Sequence, residues 1–83
     1  MWHVYLLLCT DGTLYAGVTT DLDRRLAEHR GGKGARYTRS RGAVRFVHTE
    51  PAAGRSAALK REHALRRLPR GSKLALAKLR DAS

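Results

Sequence analysis

Two short, mostly apolar runs open the chain. Val4-Tyr5-Leu6-Leu7-Leu8-Cys9 and Leu14-Tyr15-Ala16-Gly17-Val18-Thr19 are separated by Thr10-Asp11-Gly12. Strand-like runs on either side of a glycine-containing break predict a β-hairpin, and two registers compete. A two-residue Asp11-Gly12 turn pairs Leu8 with Tyr15 and Tyr5 with Val18, which sends the tyrosines to opposite faces. A three-residue loop with Gly12 left-handed at a bulge pairs Cys9 with Thr13 and sets Tyr5 opposite Gly17 and Leu7 opposite Tyr15. In that register Val4, Leu6, Leu8, Leu14, Ala16 and Val18 share one wholly apolar face. Tyr5, Leu7, Cys9, Tyr15, Gly17 and Thr19 share the other. A half-covered antiparallel sheet needs this division, so the three-residue loop is preferred. It places the tyrosines side by side, although amphipathic strands carry tyrosines for ordinary packing reasons too.

Beyond the hairpin the period changes. Thr20-Asp21-Leu22-Asp23 resembles a capping box closed by Asp, and a helix is expected over residues 21–30, stopping at Gly31-Gly32. Leu22 and Leu26 point inward, and Arg25 and His29 lie one turn apart. Residues 31–42, with four glycines, read as a loop. A third strand over 43–49 alternates Val44, Phe46 and His48 against Arg45 and Val47, and Pro51 and Gly54 close it. Helices follow over 55–68, ended by Pro69, and over about 70–80, with residues 81–83 a frayed tail. The fold class is α+β: a three-stranded antiparallel sheet flanked by helices, in the order strand-strand-helix-strand-helix-helix, within a single domain spanning 1–83.

Charge narrows the partners. Seventeen Lys and Arg against seven Asp and Glu leave +10, and arginines outnumber lysines thirteen to four. Such a field favours polyanions, and guanidinium suits bidentate phosphate contacts. No helix shows a broad apolar face opposite a basic one, and the short leading apolar run is neither a signal peptide nor a membrane span. Nucleic acid is therefore the expected partner: DNA, with RNA not distinguished by charge alone. No membrane or protein partner is indicated. A single cysteine fits a reducing cytoplasm.

One acid stands out of place. Between Glu50 and Asp81, Glu62 is the sole carboxylate among nine Lys and Arg, and it falls on the inward stripe of Ala58, Leu59, Leu65 and Leu68. A carboxylate there is costly unless paired or bound to metal. Two readings stay open with equal weight: a structural salt bridge to a nearby arginine, or a lone ligand for one hydrated Mg²⁺.

These residues together resemble the GIY-YIG nuclease superfamily, over essentially the whole chain and most closely its small stand-alone bacterial members. Val4-Tyr5 matches the end of the first hallmark tripeptide, with His3 in place of glycine. Tyr15-Ala16-Gly17 matches the second, with Ala for Ile. The family's helix arginine, following histidine and metal-binding glutamate fall on Arg25, His29 and Glu62. The loop from Gly32 to Arg39 and the run Ala57-Ala58-Leu59-Lys60-Arg61-Glu62 look like those of the small members. The chain departs from the family in lacking any asparagine, a residue many members carry late in the site.

The resemblance implies a metal-dependent endonuclease that hydrolyses phosphodiesters to a 5′-phosphate and a 3′-hydroxyl. Glu62 would hold one Mg²⁺ or Mn²⁺. Tyr5 would orient or deprotonate the attacking water beside a hydrogen-bonded Tyr15, its phenol, ordinarily near pKa about 10, lowered by Arg25 and the positive field. Arg25 would neutralise the phosphorane. His29 would share proton transfer or contact phosphate, unless it is only a helix-end cation favoured by the dipole. Lys33, Arg36, Tyr37, Thr38 and Arg39 would grip the backbone. Arg66, Arg67, Arg70 and Lys73 are left as general surface charge. With no sequence-reading module, recognition should follow backbone or structure. The alternative is a nucleic-acid-binding domain whose nuclease site is vestigial or very slow.

Overall fold

The computed structural model describes residues 1–32 and 42–82, without the side chains of 78–82. Its elements are β1 (Trp2–Cys9), β2 (Leu14–Thr19), α1 (Leu22–Arg30), β3 (Ala43–Ala52), α2 (Arg55–Arg67) and α3 (Arg70–Ala82). The strands form one antiparallel sheet in the order β2-β1-β3. The fold class is the one the pattern predicts, and so is the hairpin register. Tyr5 pairs with Gly17 and Leu7 with Tyr15. Cys9 N–H donates to Thr13 O at 2.9 Å, and Gly12 takes φ +85° at the bulge, a conformation only glycine adopts without penalty. The Asp11 carboxylate fixes the loop by accepting from the Thr13 amide and hydroxyl at 3.0 and 2.7 Å.

Val4, Leu6, Leu14 and Ala16 pack with Val47, Ala58, Leu65 and Ala77 into the core, so α2 and α3 cover that face of the sheet. The opposite face is not half open as expected. Helix α1 crosses it, and Tyr5, Leu7 and Cys9 are as buried as Leu6. The reason lies in α1 itself: His29 turns inward as a buried side chain rather than outward as a cation.

Local capping also differs from the expected box. Asp21, not Thr20, is the N-cap, its Oδ1 accepting from Arg24 N–H at 3.1 Å, while the Thr19 hydroxyl bridges the Asp21 backbone. At the other end, Gly31 and Gly32 N–H groups return to Ala27 O and His29 O, as the glycine stop predicts. Helix α2 ends one residue earlier than expected because Pro69 holds Leu68 in extended backbone. Helix α3 continues through Ala82, so residues 81 and 82 are helical rather than frayed.

Strand β3 runs three residues past its predicted end, through Pro51, which an edge strand tolerates. Its simple alternation fails. Leu6 pairs with His48 and Leu7 with Phe46, leaving Val47 as an extra residue in a bulge. The shift turns Phe46 onto the tyrosine face, 4.7 Å from the Tyr5 ring centroid, and sends His48 and Glu50 toward α2.

There the Glu50 carboxylate accepts from Arg61 at 2.8 and 2.9 Å and meets His48 Nε2 at 2.6 Å. The Arg61 bonds, assisted by His48 and opposed by burial, hold the Glu50 carboxyl down to about 2 from the ordinary 4.5. As pH falls, the unfolded chain takes up this proton first. The stabilisation is therefore full above the ordinary value and lost as pH passes through the folded one. With both partners partly exposed, about 1–2 kcal/mol is expected after allowing for solvent screening. Urea unfolding at pH 7 and pH 3 should show that loss in the parent and a smaller one in Glu50→Gln. Equal losses in the two proteins exclude this account.

Candidate active site

The buried part of the site begins at Gly17. A Cβ built there overlaps the hydroxyl, Cζ and Cε1 of Tyr5, so the tyrosine ring lies flat over a position that only glycine leaves open. The ring is confined by Phe46 and by the His29 imidazole, whose centroid is 5.9 Å away at 74°. The Tyr5 hydroxyl lies 2.9 Å from His29 Nε2, and Arg25 Nε donates to the same oxygen over a long 3.5 Å. Arg25 can only donate, so the phenol oxygen accepts from it, while the imidazole tautomer decides which group donates in the Tyr5–His29 bond.

The electrostatics favour the neutral forms of both rings. Burial, and after it the Arg25 charge, push the His29 pKa below its usual value, with Glu28 opposing. The shift disfavours the dipole-favoured cation at His29. Tyr5 moves opposite to expectation. Burial raises its pKa, outweighing the hydrogen bond and charge of Arg25, while Tyr15 and Glu62 add to the rise. A phenol that is 1% exposed cannot solvate its anion, and one guanidinium at 3.5 Å does not compensate. Arg25 is itself held by Glu28 Oε1 at 3.2 Å.

A pH prediction follows from this arrangement. Removing the Arg25 charge removes one cause of the lowered His29 pKa, so Arg25→Gln should move the His29 titration upward in NMR and the Tyr5 titration upward as well. A downward move of His29 excludes the Arg25 charge as a cause of its lowered pKa. In the parent, the unfolded chain protonates His29 before the folded protein does. Stability should therefore fall as pH drops below the ordinary histidine range.

The outer part of the site is built on β2 and α2. Tyr15 is partly exposed, and its ring meets His29 edge-on at 6.1 Å. From α2, the Arg66 guanidinium lies 5.6 Å from the centroid of the same ring. Arg66 Nη2 is also 3.5 Å from Glu62 Oε2, one helical turn back. Glu62 is buried between Ala58 and Leu65, its side chain 12% exposed. The salt-bridge reading of Glu62 is therefore realised, but loosely, since 3.5 Å exceeds the usual charge-assisted distance.

A divalent cation fits this carboxylate only as a sparse site. Among the described residues no three His, Cys, Asp or Glu side chains converge as metal ligands. Glu28 is engaged with Arg25, and Glu50 with Arg61 and His48. One carboxylate completed by water and phosphate oxygens is a donor set that hydrated Mg²⁺ accepts.

Tyr5, Tyr15, Arg25 and His29 are thus brought together, and Glu62 joins them through Arg66. Lys33, Arg36, Tyr37, Thr38 and Arg39 lie outside the described residues. Arg66, Phe46 and Glu28 are additions. Glu62 to Arg66 and Arg25 to Glu28 are helical i,i+4 and i,i+3 pairs that the sequence displays. Phe46 is hidden by the Val47 bulge. Among the described residues no helix is long and apolar enough to cross a membrane.

A family model described as the GIY-YIG catalytic domain matches residues 1–74. A UPF0213 protein of Halobacterium salinarum is 50% identical over 76 residues, covering 92% of this chain and 99% of its own. A UPF0213 protein of Xanthomonas axonopodis is 51% identical over 74 residues, covering 89% and 72%. The solution NMR structure of a UPF0213 protein from Bacillus halodurans is 44% identical, with a TM-score of 0.58 over 95% of this chain and 85% of that one.

Proposed function

The chain belongs to the GIY-YIG nuclease family, and from that premise we propose that it is a metal-dependent endonuclease that cuts nucleic acid, DNA in the first instance, by backbone or structure. The observation that carries this reading is the position of Tyr15. It touches His29, which holds Tyr5, on one side and Arg66, the partner of Glu62, on the other. Two strands and two helices therefore direct their polar residues to one partly exposed phenol. Nothing in an ordinary amphipathic hairpin calls for that arrangement.

Burial redistributes the roles. Tyr5, 1% exposed, is not the phenol that meets water. Tyr15 is the better candidate to orient the attacking molecule, while Tyr5 and His29 form a hydrogen-bonded backing. Arg25, partly exposed beside them, faces the negative charge that grows on the phosphoryl oxygens. Glu62 would hold Mg²⁺ or Mn²⁺, which supplies Lewis-acid stabilisation of the phosphate and the leaving oxygen. Water adds to phosphorus and the P–O3′ bond breaks, leaving a 5′-phosphate and a 3′-hydroxyl. The surplus of arginine supports a backbone grip, and the expected grip residues are Lys33, Arg36, Tyr37, Thr38 and Arg39.

The test is nicking of branched, single-stranded and duplex DNA, and of RNA, with Mg²⁺ or Mn²⁺ and again after chelation. Glu62→Ala, purified identically, controls for a contaminating nuclease. Metal-dependent cutting by the parent and silence from the variant is the expected result. Binding by both proteins with cutting by neither means a binding domain with a vestigial site.

A further inference from the structure

Arg66 does two things at once: it pairs with Glu62 and lies over Tyr15. We propose that Arg66 is the resident counter-ion of the metal-binding carboxylate, displaced from Glu62 by the divalent cation and transferred to a phosphate of the nucleic acid. The inference rests on the metal-binding reading of Glu62.

The physical case starts from burial. A carboxylate on the apolar stripe of α2 needs a compensating charge whenever metal is absent, and Arg66, four residues on, supplies it. The compensation is deliberately weak in geometry. The contact is a single 3.5 Å approach rather than a bidentate pair, and the Arg66 side chain is 49% exposed. Compare Arg61, whose two bonds to Glu50 at 2.8 and 2.9 Å use the bidentate geometry available to guanidinium. Arg66 is therefore held near Glu62 without being locked to it.

A monovalent guanidinium and a divalent cation repel each other at one carboxylate, so the ion must displace Arg66 or bind against it. Once displaced, Arg66 keeps the Tyr15 ring as a second resting place through cation–π attraction. It then stands beside the phenol that the proposed reaction places nearest the phosphate. Metal and nucleic acid thus favour the same movement: one takes the carboxylate from Arg66, and the other offers the freed guanidinium an anion. Each ligand should strengthen binding of the other, because each removes part of the cost of separating Arg66 from Glu62.

The experiment uses Mn²⁺ alone as the first probe, titrated into the parent, Arg66→Gln, Arg66→Lys and Glu62→Gln without nucleic acid. Arg66→Gln should bind Mn²⁺ tighter than the parent by about 5- to 10-fold, from relief of charge repulsion at short range. Arg66→Lys, which keeps the charge, should stay near the parent. A merely structural role for Arg66 predicts equal or weaker Mn²⁺ binding on truncation. The second probe is a short DNA duplex at several salt concentrations with the metal present, read by binding. Arg66→Gln should reduce the slope of log affinity against log salt by about one, the signature of one lost phosphate contact. Unchanged Mn²⁺ affinity in Arg66→Gln, or an unchanged salt slope, overturns the proposal. If Glu62→Gln binds Mn²⁺ as well as the parent, the metal reading of Glu62 fails and the proposal falls with it. Loss of Mn²⁺ in Glu62→Gln with no gain in Arg66→Gln leaves the metal reading standing and overturns the role of Arg66 alone.

Discussion

Glu62→Gln should lower the single-turnover cleavage rate by about 10³-fold, because a Lewis-acid ion contributes several kcal/mol, here about 4, to stabilising phosphoryl charge. The substitution keeps the shape of the side chain and removes the anion, so the loss should come without loss of the fold. A carboxylate with a 12% exposed side chain and one long contact to Arg66 is poorly compensated. Its neutral isostere should therefore leave stability within about 1 kcal/mol of the parent or raise it, as happens when a residue is kept for function at a cost to packing. Raising the Mn²⁺ concentration should not restore the rate, since the described residues offer no alternative cluster of ligands. The measurement is single-turnover nicking beside thermal unfolding on the same preparations. A Gln variant that cuts at the parent rate removes Glu62 from the reaction, and a variant that is both inactive and unfolded shows a structural role instead.

Gly17→Ala should produce the largest effect on the fold from the smallest change in mass. The added methyl would occupy the space of the Tyr5 hydroxyl and outer ring, and the ring has nowhere to retreat, packed as it is by Phe46 and His29. Overpacking of this kind costs about 1–3 kcal/mol. Pushing the hydroxyl off His29 breaks a buried hydrogen bond, at about 1 kcal/mol more. A total near 3 kcal/mol should lower Tm by roughly 12–24 °C in a domain of this size. Tyr5→Leu removes the atoms that collide, so adding Gly17→Ala to it should cost much less than in the parent. That gives a coupling energy of about 1–3 kcal/mol in a double-mutant cycle. Additive losses, or a Gly17→Ala protein as stable as the parent, exclude the contact as the reason for glycine. The same displacement should also disturb His29 and hence Tyr15, so activity should fall further than stability alone accounts for.

Gly17 also shows how far local pattern reaches. The register that sets it opposite Tyr5 follows from keeping Val4, Leu6, Leu8, Leu14, Ala16 and Val18 on one face, and strand periodicity makes that a local property. Cap and stop signals around α1 and the Pro69 break are likewise local, and they locate elements to within a few residues. Tyr5, Tyr15, Arg25, His29 and Glu62 could be singled out because their identities and spacings resemble a family pattern, and that family's model matches residues 1–74.

Residue spacing did not show what surrounds those side chains. The Val47 bulge depends on how β3 meets β1, two segments far apart in the chain, and it decides that Phe46 rather than Val47 stands behind Tyr5. The Tyr5 pKa depends on burial under α1, so a sequence reading that counts nearby cations has the direction wrong. Arg66 looks like one more surface charge until α2 is laid against β2 and brings it over Tyr15.

The chain by itself determined the α+β fold and the hairpin register and singled out the residues of the candidate site, because hydrophobic periodicity, turn chemistry and motif spacing are properties of neighbours in sequence. Only the tertiary structure decided that Tyr5 is enclosed and Tyr15 partly exposed, that burial lowers the His29 pKa, and that Glu62 has Arg66 as its loosely held partner. Exposure, proton position and counter-ion choice depend on desolvation and distance between distant segments, and these exist only once the sheet has been covered on both faces.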